Sequence, residues 1–563
     1  MGQVSRRQLL QGAALAGAGI LGAGALAACS PLSADEADGT SPAGGDGSGA
    51  TPDLTGRGDI GLVKDAEQTE DADIVVVGSG IGGFTASMIA KEQAPEASVL
   101  MLEKNQGLGG STNFAECNGP AANVEEHEAH LQGMQRAANT GYIANTLLHY
   151  ERVREQGDNA DWLFQKHGVV YEQPGPGPYF YQGGNGASAI EHLTPQAEEL
   201  GVDIRRDARV TALLTSDEHT VTGVQYETSS GQVVHVNAKA VILATGGLST
   251  NMELLKEYCG QEVVRLTGWG QGQDGDGQLL VEQTAHGRAK YLCLGSLFNN
   301  IGEGDNGGNT VAYDSPLGVA CAMQYTNLYI NQDGLRYCDE SCAGAAGTEI
   351  SGKLVESQPY VFSIADAAHL AKYEAGGCTR HYSGFADKLV GNPTDLQSDL
   401  ELYAGQDYFF KADTLEDLAA QIKAKVPYFD ADAFLASIAT YNAYAEAGED
   451  LDFAKPAEFM WPVAEAPFYA FQLVSGVLNT CGGIRINTEA QVVDPRGQVI
   501  DGLYAAGVCS SGWDGEIYGG GTCQTVGMWG GSRAARHAIV HKLGGSVAAD
   551  WMGTEKSMDH LPQ

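Results

Sequence analysis

A mixed α/β fold built on a parallel sheet follows from three features of the sequence. A β-branched run breaks into a glycine-rich turn and a helix, a second apolar strand ends in an acid, and a third ends in glycines. The first is Ala72-Asp73-Ile74-Val75-Val76-Val77, followed by Gly78-Ser79-Gly80-Ile81-Gly82-Gly83 and a helical segment from Phe84 to Gln93. Gly78 permits the tight turn, Gly80 lets the backbone approach a pyrophosphate, and Gly83 lets helix pack on strand, while the helix N-terminus offers unpaired N–H groups to the phosphates. The second strand, Ser98-Val99-Leu100-Met101-Leu102, ends in Glu103, about twenty residues past the last glycine, where a carboxylate takes ribose hydroxyls. The third, Ala238-Lys239-Ala240-Val241-Ile242-Leu243, runs into Ala244-Thr245-Gly246-Gly247. Strand, glycines, helix, strand and acid together specify a dinucleotide site.

The ends and the charge bound the rest. Ser5-Arg6-Arg7-Gln8-Leu9-Leu10 and the Gly/Ala/Leu stretch to Ala28 have the layout of a removable export signal with paired arginines. Leu26-Ala27-Ala28-Cys29 resembles a bacterial lipobox, so the expectation is export by the twin-arginine route and a lipid anchor on Cys29, at the outer face of the cytoplasmic membrane. The alternative is a simple transmembrane anchor, for which a Gly/Ala-rich stretch is weakly apolar. Residues 1–29 form this signal, and 30–70, rich in Gly, Ser, Pro and acids, predict a disordered tether. The remaining length exceeds one small core and predicts two domains. The net charge of −38, from 33 basic and 71 acidic side chains, argues against nucleic acid as a partner. It suits either plain solubility or docking to a basic electron carrier. Eleven cysteines include no Cys-x-x-Cys-His, so no haem attaches to this chain by that motif, and no metal site is assigned.

Further segments resemble the FAD-binding fumarate reductase/succinate dehydrogenase flavoprotein superfamily. Lys104 and Gly107-Leu108-Gly109-Gly110-Ser111-Thr112 resemble the loop those proteins lay along FAD. Ala244, Thr245 and Gly246 match their second dinucleotide contact, Gln273-Asp274-Gly275-Asp276-Gly277 their Asp-Gly turn, and Gly502-Leu503-Tyr504-Ala505-Ala506-Gly507 the strand and turn that return to the flavin. The likeness spans nearly all of 71–545, including Thr440-Tyr441-Asn442, Gly448-Glu449-Asp450-Leu451-Asp452-Phe453 and Pro467-Phe468-Tyr469-Ala470. It implies a soluble, flavocytochrome c-like flavoprotein with non-covalent FAD: a Rossmann-like FAD-binding domain over 71–295 and 462–545, an inserted α+β cap domain over 296–461 that bears on the substrate, and a tail over 546–563.

The substrate side departs from the fumarate reductases. Those enzymes protonate substrate with an arginine fed by an acid-Gly-x-Arg relay and clamp two carboxylates with His and Arg. Asp333-Gly334-Leu335-Arg336 matches the relay, but the proton-donating arginine position falls near Gly344, and the His-His-Thr-x-Gly-Gly run reads Leu478-Asn479-Thr480-Cys481-Gly482-Gly483. A small dianion would be desolvated there without paired cations, which argues against fumarate. Arg336 is either a proton relay or half of a structural ion pair with Asp333 or Glu340; Tyr325, Tyr337 and Cys342 are other proton-donor candidates. Gly515-Glu516-Ile517-Tyr518-Gly519-Gly520-Gly521 resembles the Tyr-x-Gly segment of 3-ketosteroid dehydrogenases, whose tyrosine hydroxyl and glycine N–H hold the substrate carbonyl oxygen. Tyr518 with the N–H of Gly520 or Gly521 would do the same, the alternative being a packed aromatic. Tyr179, Phe180 and Tyr181 form either a stacking wall for a flat substrate or a surface turn with its rings folded inward.

The expected function is reduction of the C=C bond of an α,β-unsaturated carbonyl compound: a steroid, aryl acrylate or phenolic enone. Hydride comes from flavin N5, and electrons come from an external cytochrome or quinol-linked carrier. A dehydrogenase of 3-ketosteroid type, a fumarate reductase-like enzyme and a non-catalytic flavin electron-transfer lipoprotein are the competing readings.

Overall fold

The computed structural model describes residues 58–115, 117–120, 123–139, 145–172, 178–182, 186–259, 267–268, 271–287, 290–301, 324–341, 354–375, 396–514 and 521–548. Strand β1 (Gln68–Val77) leads through Gly78–Gly80 into helix α1 (Ile81–Gln93). Ile74, Val75 and Val76 are wholly buried, as a continuous apolar run must be in a sheet covered on both faces. The strand begins at Gln68, earlier than the apolar run at Ala72 predicts, because Gln68–Asp71 pair with a longer neighbour. That neighbour and a second parallel one flank β1. On one side lies β2 (Val99–Leu102), and on the other β3 (Val233–Leu243); helices α2 (Glu126–Asn139) and α3 (Thr146–Asp161) follow β2 in the chain.

The full sheet has eight strands. In order they are Gln491–Val493, Val499–Ala505, Thr220–Thr228, β3, β1, β2 and Val202–Arg205, with Ala208–Asp217 on Thr220–Thr228 and an added pairing of Val499–Ala505 with β3. The register matters for function. Val77 pairs with both Leu102 and Leu243, and Leu243 pairs with Ala505, so four parallel strands end level at one edge. Ligands of open α/β sheets bind at this carboxyl edge.

A second, six-stranded sheet is built on the long strand β4 (Phe468–Gly483). Val361–Asp366, Phe409–Ala412 and Lys290–Ile301 pair antiparallel with it, and Leu328–Asn331 lies outside Val361–Asp366. Leu418, Ile422, Phe434 and Ile438, from the helices Leu415–Lys425 and Ala431–Ala447, pack with Phe362 and Ile364 of that sheet in a separate core. This is the inserted α+β cap. Its central strand starts at Phe468, inside the stretch that the sequence assigned to the first domain, so the cap sheet continues across the expected boundary at 461/462.

Helix α4 (Thr522–His541) returns the chain against α1. The two backbones nearly touch: a Cβ on Gly531 would lie 2.3 Å from the Gly82 carbonyl oxygen, and one on Gly527 would lie 2.8 Å from Ile81 Cγ2. Among the described residues no helix is long and apolar enough to cross a membrane. The signal, Cys29 and residues 30–57 of the expected tether lie outside the described residues, but the rest of that 30–70 segment is placed: Lys64 pairs with Asp59 (2.7 Å) and Glu227 (2.8 Å), and Gln68 to Glu70 belong to β1, because the chain is held there by the sheet.

Candidate active site

Backbone hydrogen bonds carry the sheet into its terminal turns: Gly78 N–H donates to Leu102 O, Ala244 N–H to Val77 O and Ala506 N–H to Leu243 O, each at 2.8 Å. The turns at Gly78, Glu103, Ala244 and Gly507 therefore stand side by side. Gly78 has φ +102°, and a Cβ there would lie 2.4 Å from the Ala244 carbonyl oxygen, so both its conformation and its neighbour require glycine. A Cβ on Gly83 would lie 2.0 Å from the Gly78 carbonyl oxygen, the close helix–strand approach that the motif implies.

Glu103 is buried and doubly held. One carboxylate oxygen accepts from the Ser79 N–H (3.1 Å) and hydroxyl (2.6 Å), the other from the Asn105 N–H (2.9 Å) and carboxamide (3.0 Å). The loop 107–112 is strapped onto the start of α1, because Gly109 N–H donates to the Ser79 hydroxyl (3.0 Å) and Ile81 N–H to the Thr112 hydroxyl (3.0 Å). Gln273 links the loop to the end of β3: its amide nitrogen donates to the Ser111 hydroxyl (2.7 Å), and its oxygen accepts from Gly247 N–H (3.2 Å). Lys104 pairs with Asp274 (2.8 Å) and Asp276 (3.2 Å), and Arg209 also pairs with Asp276 (2.8 Å). The cofactor residues expected from the sequence thus gather along one edge: Gly78, Gly80, Gly83, Glu103, Gly110, Ser111, Thr112, Ala244, Thr245, Gly246 and Gly507. Lys104 and Asp276 hold each other beside it. Sequence reasoning passed over Ser79, Asn105, Gln273 and Arg209; Ser79 and Gln273 lie inside motifs already noticed.

These residues fit FAD. Helix α1 begins on Gly80 with no side-chain cap and no acid in its first turn, which leaves N–H donors and the positive end of its dipole for a pyrophosphate. Glu103, at the end of β2, would be the carboxylate that meets the ribose. Gln278, whose amide nitrogen donates to the Gly246 carbonyl (3.1 Å), keeps a buried oxygen without a partner among the described residues, an acceptor for a cofactor hydroxyl.

At the N-terminus of α4 the described side chains are neutral. Tyr181 donates to the Gln524 oxygen (3.2 Å), the Thr525 hydroxyl donates to the Asn118 oxygen (3.0 Å), and the Asn479 amide nitrogen donates to Cys523 Sγ (3.2 Å). Burial pushes the Tyr181 hydroxyl well above its ordinary pKa, so it stays protonated. Of the three aromatics expected as a wall, Tyr181 and Phe180 are buried, and Tyr179 stacks on Phe164 at 5.2 Å between centroids. Tyr179 also meets Tyr171 at 4.7 Å. These contacts match rings folded inward. Tyr518, Gly520, Cys342 and Gly344 lie outside the described residues.

Arg336 sits in a buried ionic cluster of the cap. Its guanidinium bonds Glu340 twice at 3.0 Å and Asp450 at 2.8 Å, and Lys455 bonds Glu340 at 3.1 Å. Asp333, one of the two partners considered from the sequence, instead accepts from Gln332 (2.8 Å); Asp450 is the partner that the sequence did not suggest. Gly334 has a local reason to be glycine: φ is +73°, and a Cβ would lie 2.2 Å from the Asp430 carbonyl oxygen. Burial lowers the Arg336 pKa, but Glu340 and Asp450 outweigh it and raise it above the ordinary value. Burial likewise raises the Asp450 carboxyl, and Arg336 and the Lys455 N–H outweigh it, bringing it to about 2. Tyr337 donates to the Leu354 carbonyl (3.2 Å), and Tyr325 meets the Phe459 ring edge-on at 5.3 Å.

Fold and site together define an FAD-dependent oxidoreductase. The FAD binding domain family matches residues 323–523, and the FAD dependent oxidoreductase family matches 73–247. A vinyl phenol reductase of Lactiplantibacillus plantarum is 31% identical over 496 residues, 83% of this chain and 96% of that protein. A probable fumarate reductase of Shewanella frigidimarina is 26% identical, over 84% of this chain and 76% of the relative. The crystal structure of 3-ketosteroid Δ1-dehydrogenase from Sterolibacterium denitrificans shares the fold, with a TM-score of 0.66 at 19% identity, over 84% of this chain and 100% of that one. The chain belongs to the FAD-binding fumarate reductase/succinate dehydrogenase flavoprotein superfamily. Within it the protein is an enzyme acting on CH–CH groups.

The cap cluster makes a stability prediction. Arg336→Gln leaves Glu340 and Asp450 short of a buried partner and is expected to cost about 3–5 kcal/mol in urea unfolding. In the unmodified protein the Asp450 carboxyl titrates at 3.8 when unfolded and about 2 when folded, so its contribution is complete above pH 3.8 and is lost as pH falls toward 2. A variant as stable as the parent at neutral pH would contradict the cluster.

Proposed function

We propose that this enzyme reduces the C=C bond of a neutral α,β-unsaturated carbonyl compound, a phenolic or steroidal enone, with electrons from an external carrier. The observation that carries the reading is the neutral set of described side chains at the start of α4, where Tyr181 bonds Gln524, Thr525 bonds Asn118 and Asn479 bonds Cys523. Arg336, the arginine of the acid-Gly-x-Arg relay motif, is held by two carboxylates of its own. A neutral, flat substrate enters such a site without leaving an unbalanced charge, whereas fumarate would not. Likeness to a vinyl phenol reductase, whose name specifies an alkene on a phenol ring, supports an aromatic substrate.

FAD supplies the hydride when bound. Addition to the β-carbon moves negative charge onto the carbonyl oxygen, for which the Tyr518 hydroxyl with the Gly520 N–H is the assigned donor pair, and a proton taken up from solvent at the α-carbon completes the saturated ketone. Glu103, Ser79 and the 107–112 loop hold the cofactor in place. Export by the twin-arginine signal and attachment through a lipid on Cys29 belong to the same proposal; a Cys29→Ser variant is then expected to leave the membrane fraction.

The test is anaerobic. FAD enzyme reduced with viologen is mixed with a phenolic enone, a steroid enone, an aryl acrylate and fumarate while the flavin band is followed. Reoxidation by the neutral enones with formation of the saturated ketone is expected; reoxidation by fumarate alone overturns the reading. Tyr518→Phe is expected to slow reoxidation about ten- to a thousandfold with FAD retained. An unchanged rate removes Tyr518 from the site.

A further inference from the structure

Asn479 carries an anomaly that the preceding reading does not use. It is 4% exposed, and its amide nitrogen is committed to Cys523 Sγ on the first turn of α4, 3.2 Å away and 44 residues along the chain. Its carbonyl oxygen has no hydrogen-bond partner among the described residues. The next residue anchors the same strand. The Thr480 hydroxyl accepts the Leu248 N–H at 3.3 Å, and a Cβ on Gly247 would lie 2.6 Å from it. The strand is therefore anchored at the turn that closes β3, and the Asn479 amide reaches the first turn of α4.

Native proteins rarely leave a buried amide oxygen unpaired, because it loses its water without compensation. An amide oxygen only accepts. It is satisfied by a hydroxyl or N–H, gains nothing from an ether, and repels a carboxylate. We infer that Asn479 is a specificity-determining residue whose Oδ1 accepts a hydrogen bond from the substrate, selecting conjugated alkenes that bear a hydroxyl, as on a phenol ring. This rests on the reading that the site reduces a neutral conjugated alkene and adds which neutral alkenes it prefers.

A matched pair tests it: 4-(4-hydroxyphenyl)but-3-en-2-one and its 4-methoxy ether, identical except for the donor. Dissociation constants come from perturbation of the oxidised flavin band, and rates come from reoxidation of the viologen-reduced enzyme. The unmodified holoenzyme is expected to bind the phenol about ten- to a hundredfold more tightly than the ether. In Asn479→Leu that ratio is expected to fall toward one. Equal binding of the two compounds by the unmodified enzyme overturns the inference, whether or not the variant folds. So does a ratio that persists in a variant retaining its flavin. Reoxidation by both compounds at equal efficiency defeats this inference alone, while reoxidation by neither defeats the reading beneath it as well.

Discussion

Four parallel strands end level because Val77 is in register with Leu102 and Leu243, and Leu243 with Ala505; the site depends on that alignment. It brings together turns from residues 78, 103, 244 and 506, and no one of these turns binds a dinucleotide alone. The contact of α1 with α4 holds the arrangement from behind. Glycines at 82, 527 and 531 let the two helix backbones approach to where side chains would collide. The start of α4 is thereby fixed against the start of α1.

Charge is distributed in keeping with that geometry. The chain carries a net −38, yet the buried charges of the cap compensate one another: Arg336 and Lys455 against Glu340 and Asp450. A buried set of this kind is expensive to break and contributes little as a free cation. The described side chains at the start of α4, by contrast, are amides, hydroxyls and a thiol. A site of that composition can orient a polar neutral molecule and stabilise charge that develops during reaction, while offering a resident dianion no counter-charge.

Much of the cofactor edge was legible in the sequence because its signals are local. The run Ile74–Val77, the spacing of Gly78, Gly80 and Gly83, and Glu103 after its own short strand each declare their role within a few residues. The long-range partners were not legible. Ser79 fixes one oxygen of the Glu103 carboxylate, Asp450 completes the Arg336 cluster, and Cys523 receives the Asn479 amide, but each pairing exists only once distant segments are packed. The aromatic trio shows the same limit. Its composition suited either a wall or a core, and the deciding ring, Phe164, comes from a different segment. The strand Phe468–Gly483 is a related case: it reads as a return to the first domain, while its register pairs it with Val361–Asp366 and Phe409–Ala412 of the second sheet.

The most direct test of a site that seats FAD beside a neutral lining is an equilibrium one: titrating the oxidised holoenzyme separately with 4-phenylbut-3-en-2-one and with fumarate, while following the flavin absorption band. The structure predicts a saturable perturbation by the neutral enone and none by the dianion over the same concentration range. Saturable binding of fumarate, with no response to the enone, would contradict it.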